Sequence, residues 1–337
     1  MTDISTLQHL VDRKPTLSGA EIVEQLVPPR QFIGASLDNY RPDHDYPSQA
    51  EAVEAVRTFS AGFRPSGGLF RRKSADVAPG IYLDGGFGVG KTHLLAALWH
   101  QASGRKYFGT FIEYTALVGA LGYAAAFQQL KGASLLCIDE FELDDPGDTR
   151  IMTRLLTELT ASGSRIAATS NTPPNALGEG RFAAQDFLRE IDQLSSKFLI
   201  MRIDGLDYRR RDIEGHAVVH SPKEVLAAVQ KSTGTVTIDR FDDVLAHLSQ
   251  VHPSRYFKLL AGIDAVALTD VHEMTSQTDA LRFVAFVDRL YDAQIPIIES
   301  GLPIDQVFAA DMLAGGYRKK YLRATSRVIA LTTGEGL

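Results

Sequence analysis

Gly85-Gly86-Phe87-Gly88-Val89-Gly90-Lys91-Thr92 fits the pattern Gly-x-x-x-x-Gly-Lys-Thr, the loop that cradles phosphates. Its flanks are those the chemistry needs. Ile81-Tyr82-Leu83 before it is a short apolar run suited to a buried strand, and Leu94 to Trp99 after it is apolar and rich in helix formers. Between strand and helix, glycines let successive backbone N–H groups turn toward an anion without Cβ clashes. The helix N-terminus adds partial positive charge at the same place. Lys91 is placed to reach the β- and γ-phosphates, and Thr92 to set its hydroxyl on Mg²⁺. Gly85, Gly86, Phe87, Gly88, Val89, Gly90, Lys91, Thr92 and His93 are therefore the expected nucleotide-binding set.

Downstream, strands and helices alternate. Tyr107 to Tyr114, Ser134 to Ile138, Arg165 to Thr169 and Phe198 to Ile203 read as strands. Thr115 to Gly132, with breaks near Gly119 and Gly122, Asp148 to Ala161 and Ala183 to Ser195 read as helices. Such alternation predicts an α/β P-loop NTPase, a parallel sheet with helices on both faces and ligands at the strand C-terminal ends. Upstream, a helix over Thr16 to Leu26 is stopped by Pro28-Pro29. Phe32 to Leu37 and Tyr40 are expected beside the nucleotide base. Ser48 caps a helix from Gln49 to Phe63. Residues 64–79, with Arg71-Arg72-Lys73, read as a solvated loop.

After Arg211 the pattern loosens. Helices are expected over 222–230, 241–249, 303–313 and 317–329, and around Phe283, Phe286, Val287 and Leu290. Short strands are expected over 235–238, 265–268 and 295–298, the last at an edge because of Pro296. No internal repeat or low-complexity tract is evident. The expected layout is a segment 1–64 leading into an ATPase core 65–211, then a smaller C-terminal region 212–337 that is either α/β or mainly helical.

The apolar strand ending at Ile138 delivers Asp139-Glu140 to the sheet rim. Asp139 is the expected support for Mg²⁺, and Glu140 the group that orients the attacking water or takes its proton. Thr169-Ser170-Asn171 ends the neighbouring strand, and Asn171 is the candidate γ-phosphate sensor. Phosphoryl transfer also calls for added positive charge. Arg181 and Arg189 are candidates to supply it as an arginine finger to a neighbouring subunit, and Arg209 is a third. Arg181 or Arg189 taken alone is more often a solvated helix arginine. Arg327 is the C-terminal candidate for a lid-type phosphate contact, against a basic helix face shared with Arg318, Lys319, Lys320 and Arg323.

The 337 residues hold one large or two ordinary domains. Lys and Arg number 35 against 41 Asp and Glu, a net charge of −6 that disfavours a general nucleic-acid binder. The one cysteine, Cys137, rules out a disulfide framework or a cysteine-rich zinc site and reads as core. Met1-Thr2-Asp3-Ile4 shows no basic-then-apolar leader, and no apolar run is long enough to span a membrane, so the cytoplasm is the expected location. A replication-type helicase loader shares the same phosphate machinery and stands as the alternative; it would bind single-stranded DNA in a salt-sensitive way. A small-molecule kinase would use Asp139 with a substrate pocket. No guanine-reading Asn-Lys-x-Asp is present.

Taken together, these motifs resemble the AAA+ ATPases of the ZapE cell-division type and their mitochondrial AFG-like relatives. The resemblance is carried by Asp139-Glu140-Phe141 with Leu143, Asp145 and Asp148, and by Thr169-Ser170-Asn171 with Pro174. Asp207-Tyr208-Arg209, then Arg282-Phe283 with Asp288 and Tyr291-Asp292, and Ser326-Arg327 extend it over about residues 25–330 in order. It implies an ATP- and Mg²⁺-dependent ATPase assembled as a ring, a hexamer among the possibilities, acting on a protein partner at the division ring, with the tubulin-like FtsZ as the implied partner. The chain departs from the pattern at Val89, where relatives often carry arginine. At Gln185-Asp186-Phe187-Leu188-Arg189 it lacks the family's arginine-rich segment, and it has no acidic ending. It reads as a divergent branch.

Overall fold

β1 (Gly80–Gly85) stands directly ahead of the glycine loop and is buried along its whole length. The computed structural model describes residues 8–16, 18–62, 78–142, 146–173, 177, 196, 198–206 and 215–334. The chain divides into two units, Ser18–Tyr208 and a second formed by Met1–Leu17 with Arg209–Leu337.

In the first unit, α1 (Gly19–Glu24) and α2 (Pro47–Ala61) precede β1. The glycine loop leads into α3 (Lys91–Gln101). Then come β2 (Lys106–Thr110), α4 (Phe111–Leu121), α5 (Tyr123–Leu130), β3 (Leu135–Asp139), α6 (Pro146–Ala161), β4 (Arg165–Ser170) and β5 (Phe198–Ile203). The sheet runs β2-β3-β4-β1-β5 and every pair is parallel. Side chains alternate across it. Ile81, Leu83, Phe108, Cys137, Ala167 and Ile203 bury one face against α2 and α3. The other face meets α4 and α6. Cys137 is core, as read.

The strand read over Tyr107 to Tyr114 ends at Thr110, because Thr110 and Glu113 form a capping box that starts α4. The helix that follows breaks at Gly122, as expected, at φ 77°, but runs unbroken through Gly119. The expected helix over 183–195 and the basic run 71–73 lie outside the described residues.

In the second unit, α7 (Pro222–Lys231), β6 (Val236–Arg240), α8 (Phe241–Gln250), α9 (Tyr256–Leu259), β7 (Ala265–Val271), α10 (Gln277–Ala293), β8 (Ile297–Gly301), α11 (Ala310–Ala314) and α12 (Arg318–Thr333) follow one another. The C-terminal region is thus α/β, with a parallel sheet β6-β7-β8. Val225 and Val229 of α7 pack on one face with Val236, Ala265 and Ala267. A larger core of Phe241, Val244, Phe283, Phe286, Tyr321 and Val328 covers the other. The helix read over 303–313 is instead a 3-10 turn, Ile304–Gln306, followed by α11.

The expected border at residue 64 also differs from the units. Leu10 is fully buried in the second core, its N–H bonded to Asp239 at 2.8 Å, and Gln8 bridges to Thr237. α2 instead belongs to the first unit, where Gln49 donates to the Asp204 carbonyl at 3.0 Å.

The second unit also repeats the first. β6-α8, β7-α10 and β8 follow the order, direction and sheet position of β2-α4, β3-α6 and β4. α7 contacts β6, β7 and β8 as α3 contacts β2, β3 and β4. Val219 pairs in parallel with β8 as β1 pairs with β4. Details recur at a constant separation along the chain. Phe111 and Phe241 open corresponding helices, and Gly132 and Gly262 sit at φ 80° and 70°. Ser134 N–H donates to the Arg105 carbonyl at 2.7 Å, and Asp264 N–H to that of Thr235 at 2.8 Å. The repeat not evident in the sequence is present in the backbone. Among the described residues, no helix is long and apolar enough to cross a membrane.

Candidate active site

The site is built where β1, β3 and β4 end. Gly85 must be glycine because a Cβ there would lie 2.2 Å from the Ile203 carbonyl oxygen. Gly90, at φ 83°, turns the loop into α3, and a Cβ on it would strike the Tyr40 ring at 2.4 Å. No side chain caps α3. The positive end of its dipole therefore faces the glycine loop without a side-chain cap, a setting that favours an anion.

Lys91 is buried. Its ammonium donates to the carbonyls of Gly85, at 2.9 Å, and Gly86, and to Asn171 Oδ1 at 2.9 Å. Asn171, chosen from the tip of its strand, thus stands at the lysine. Thr92 Oγ1 donates to the Asp139 carboxylate, 3.1 and 3.2 Å from its two oxygens. A hydroxyl and a carboxylate make an oxygen-only donor set of the kind hard divalent cations take.

Asp139 is the last residue of β3 and only 8% exposed. Burial, and then the charge of Glu140, push its carboxyl up. The hydroxyls of Thr169 and Thr92 and the Lys91 charge oppose them without cancelling them. Glu140 occupies a left-handed turn at φ 53°. Its N–H donates to Thr169 Oγ1 at 3.1 Å, and Thr169 Oγ1 donates to Asp139 Oδ1. Thr169 is the site residue that sequence reading passed over. Its available signal was a hydroxyl at the tip of the strand beside Asp-Glu.

Phe32, Ser36 and Tyr40 gather at the back of the loop. Tyr40 donates to the Val89 carbonyl at 2.7 Å, and burial pushes its hydroxyl up to about 12. His93 Nε2 lies 2.9 Å from the Ser36 carbonyl oxygen, its ring edge-on to Tyr40 at 5.6 Å and Phe32 at 6.5 Å.

The arginines divide differently. Arg181, Arg189 and Arg209 lie outside the described residues. Arg327 is neither a free phosphate contact nor part of an exposed basic face. It is 6% exposed, and with Arg323 it bonds Asp288 on α10. Burial alone would raise Asp288, but the two guanidiniums bring it below the usual carboxylate range. The sequence offered Arg327 as a cation to spare; the fold gives it a buried partner.

A family model described as AFG1-like ATPase matches residues 16–237 and 224–337. Cell division protein ZapE of Escherichia coli strain K12 is 27% identical over 302 residues, which cover 77% of this chain and 79% of that protein. Lactation elevated protein 1 homolog B of Danio rerio is 21% identical over 292 residues, covering 70% of this chain and 58% of its own. Among solved structures, domain III of the Thermotoga maritima replication initiation protein DnaA aligns at 19% identity with a TM-score of 0.41, over 61% of this chain and 82% of that one.

Proposed function

The chain belongs to the AFG1-like ATPase family, and from that premise we propose that it hydrolyses ATP with Mg²⁺ to act mechanically on a protein partner. The observation that carries this reading is the chain of hydrogen bonds through the first unit. It runs from Lys91 to Asn171, and from Thr92 through Asp139 and Thr169 to Glu140.

The N–H groups of Gly86 to Thr92 hold the phosphates, and Lys91 exchanges its carbonyl and Asn171 contacts for phosphate oxygens. Asn171, already at Lys91, reads the γ-phosphate. Thr92 and Asp139 would hold Mg²⁺, directly or through water, and the bound ion would supply neutralisation of phosphate charge. Glu140 orients the attacking water and accepts its proton. A second cation completes the site in trans, with Arg189 or Arg181 as the finger of a neighbouring copy in a ring.

The ZapE relative is a cell division protein, which supports a role at the division ring in the cytoplasm, with FtsZ or another ring component as partner. The test is ATP hydrolysis by the purified protein over a concentration series. Specific activity rising with concentration is expected of sites shared between copies. Flat activity would sink the trans arginine.

A further inference from the structure

The two units separate what the fold imposes from what catalysis adds. After β3 the chain holds Glu140 at φ 53°; near the end of β7, where its register with β8 shifts, it holds Asp270 at φ 56°. The left-handed residue is therefore a property of the fold, since it forms in the second unit with no glycine loop. Thr169 is different. Its hydroxyl has one proton, committed to Asp139 Oδ1, so a lone pair is left to accept the Glu140 N–H at 3.1 Å. Its carbonyl accepts from Phe141 N–H at 2.7 Å. Ile138 pairs with Ala168 and Leu268 with Glu299, so Ser300 stands where Thr169 does. The Ser300 hydroxyl is buried with no partner among the described residues, and Thr269 replaces the carboxylate of Asp139.

We propose that Thr169 is a positioning residue for hydrolysis, tying both acids of the β3 tip to the strand that carries Asn171. This rests on the reading of Glu140 as the water-orienting group. Thr169→Val keeps the branched shape and removes the hydroxyl; Thr169→Ser keeps the hydroxyl. With Val, kcat is expected to fall about 10- to 100-fold while affinity for a non-hydrolysable ATP analogue stays within about twofold. With Ser, kcat stays within about threefold of the parent, since the hydroxyl is kept. A Val variant with parental kcat, or one losing affinity and kcat together, or a Ser variant as slow as Val, would overturn the proposal. Glu140→Gln in the same series separates the two failures. If it is inactive while Val is fully active, only Thr169 is misread; if it too is active, the role of Glu140 falls.

A separate observation concerns the helix N-termini. α3 starts from the uncapped Gly90. α7 starts from Ser221, whose Oγ accepts the Glu224 N–H, while Glu224 Oε2 accepts from the Ser221 N–H and Oγ, both at 2.8 Å. The place an anion takes at a helix N-terminus is filled by the chain's own carboxylate. Only His220 separates Val219, bridged to β8, from the cap at Ser221, so no phosphate loop intervenes.

We infer that the second unit is a copy of the first closed to nucleotide, so that each chain takes one. Equilibrium dialysis of the full chain against a labelled non-hydrolysable ATP analogue reads this directly. One equivalent is expected for the parent and none for Lys91→Ala. A second equivalent, or saturable binding that survives in Lys91→Ala, would overturn the inference. No binding by either protein would contradict the nucleotide site of the first unit and, with it, the count of one per chain.

Discussion

At the end of β3 stand Asp139 and Glu140, with Thr92 of the glycine loop bonded to the first of them. Near the end of β7 stand Thr269 and Asp270, and the segment in place of β1 runs straight into a self-capped helix. Both units share strand order, helix placement and the left-handed residue. A parallel sheet with right-handed crossovers brings its strand tips to one edge whether or not chemistry follows. What sets the first edge apart is a glycine loop, a buried lysine and a carboxylate held by two hydroxyls. The second unit spends its polar groups on its own cohesion: Asp239 on the Leu10 N–H, Asp288 on two arginines, Glu224 on its helix cap.

That contrast breaks most visibly at Asp288. Asp288→Ala leaves two largely buried guanidiniums without their shared carboxylate and is expected to cost the second unit about 3–5 kcal/mol. Trp99, the single tryptophan, sits on α3 and reports the first unit. In urea, circular dichroism is expected to show an early transition while Trp99 fluorescence keeps its midpoint. A parallel fall in both would show that the units do not stand apart energetically.

A smaller effect is expected at Glu299. It is fully buried, and burial pushes its carboxyl up to about 8, with Asp305 adding to the rise and the Ile304 N–H opposing it. The folded state keeps a proton that the unfolded chain gives up near the ordinary glutamate value. The contribution is therefore whole below that value and is lost as pH rises toward 8, so the second unit weakens over that window. Glu299→Gln is expected to flatten the dependence, gaining about 1–2 kcal/mol at pH 8 in urea titrations. An unchanged pH profile would mean that Glu299 ionises in the fold without cost.

The smallest effect sharpens the repeat itself. Gly132 and Gly262 share a positive φ with open space around the Cβ position. Alanine at either is expected to cost about 1 kcal/mol, and the same at both, because only the backbone penalty is in play. Clearly unequal costs in thermal unfolding would separate the two turns.

Much of the first unit was legible because its signals are local. The glycine loop, the apolar strand ending in Asp139-Glu140 and the polar tip at Asn171 each lie within a few residues. The strand over Tyr107 to Tyr114 ran too long because apolar residues continue through Phe111, while the stop is a side-chain bond between Thr110 and Glu113. Thr169 was hidden because a β-branched residue in a strand needs no further reason. Arg327 was misjudged because its partner Asp288 lies on another helix. The repeat escaped because its strongest markers are backbone angles at Glu140 and Asp270. In sequence, the clearest trace is Leu94-Leu95-Ala96-Ala97-Leu98 beside Val225-Leu226-Ala227-Ala228-Val229.

The claim that chemistry resides in the first unit alone is tested most directly by ATP turnover in two matched variants, Glu140→Gln and Asp270→Asn. Glu140→Gln is expected to bind ATP and turn it over about 100-fold more slowly or worse, and Asp270→Asn to keep the parental rate within about twofold. Unimpaired turnover in Glu140→Gln, or a collapse in Asp270→Asn with the protein still folded, would contradict it.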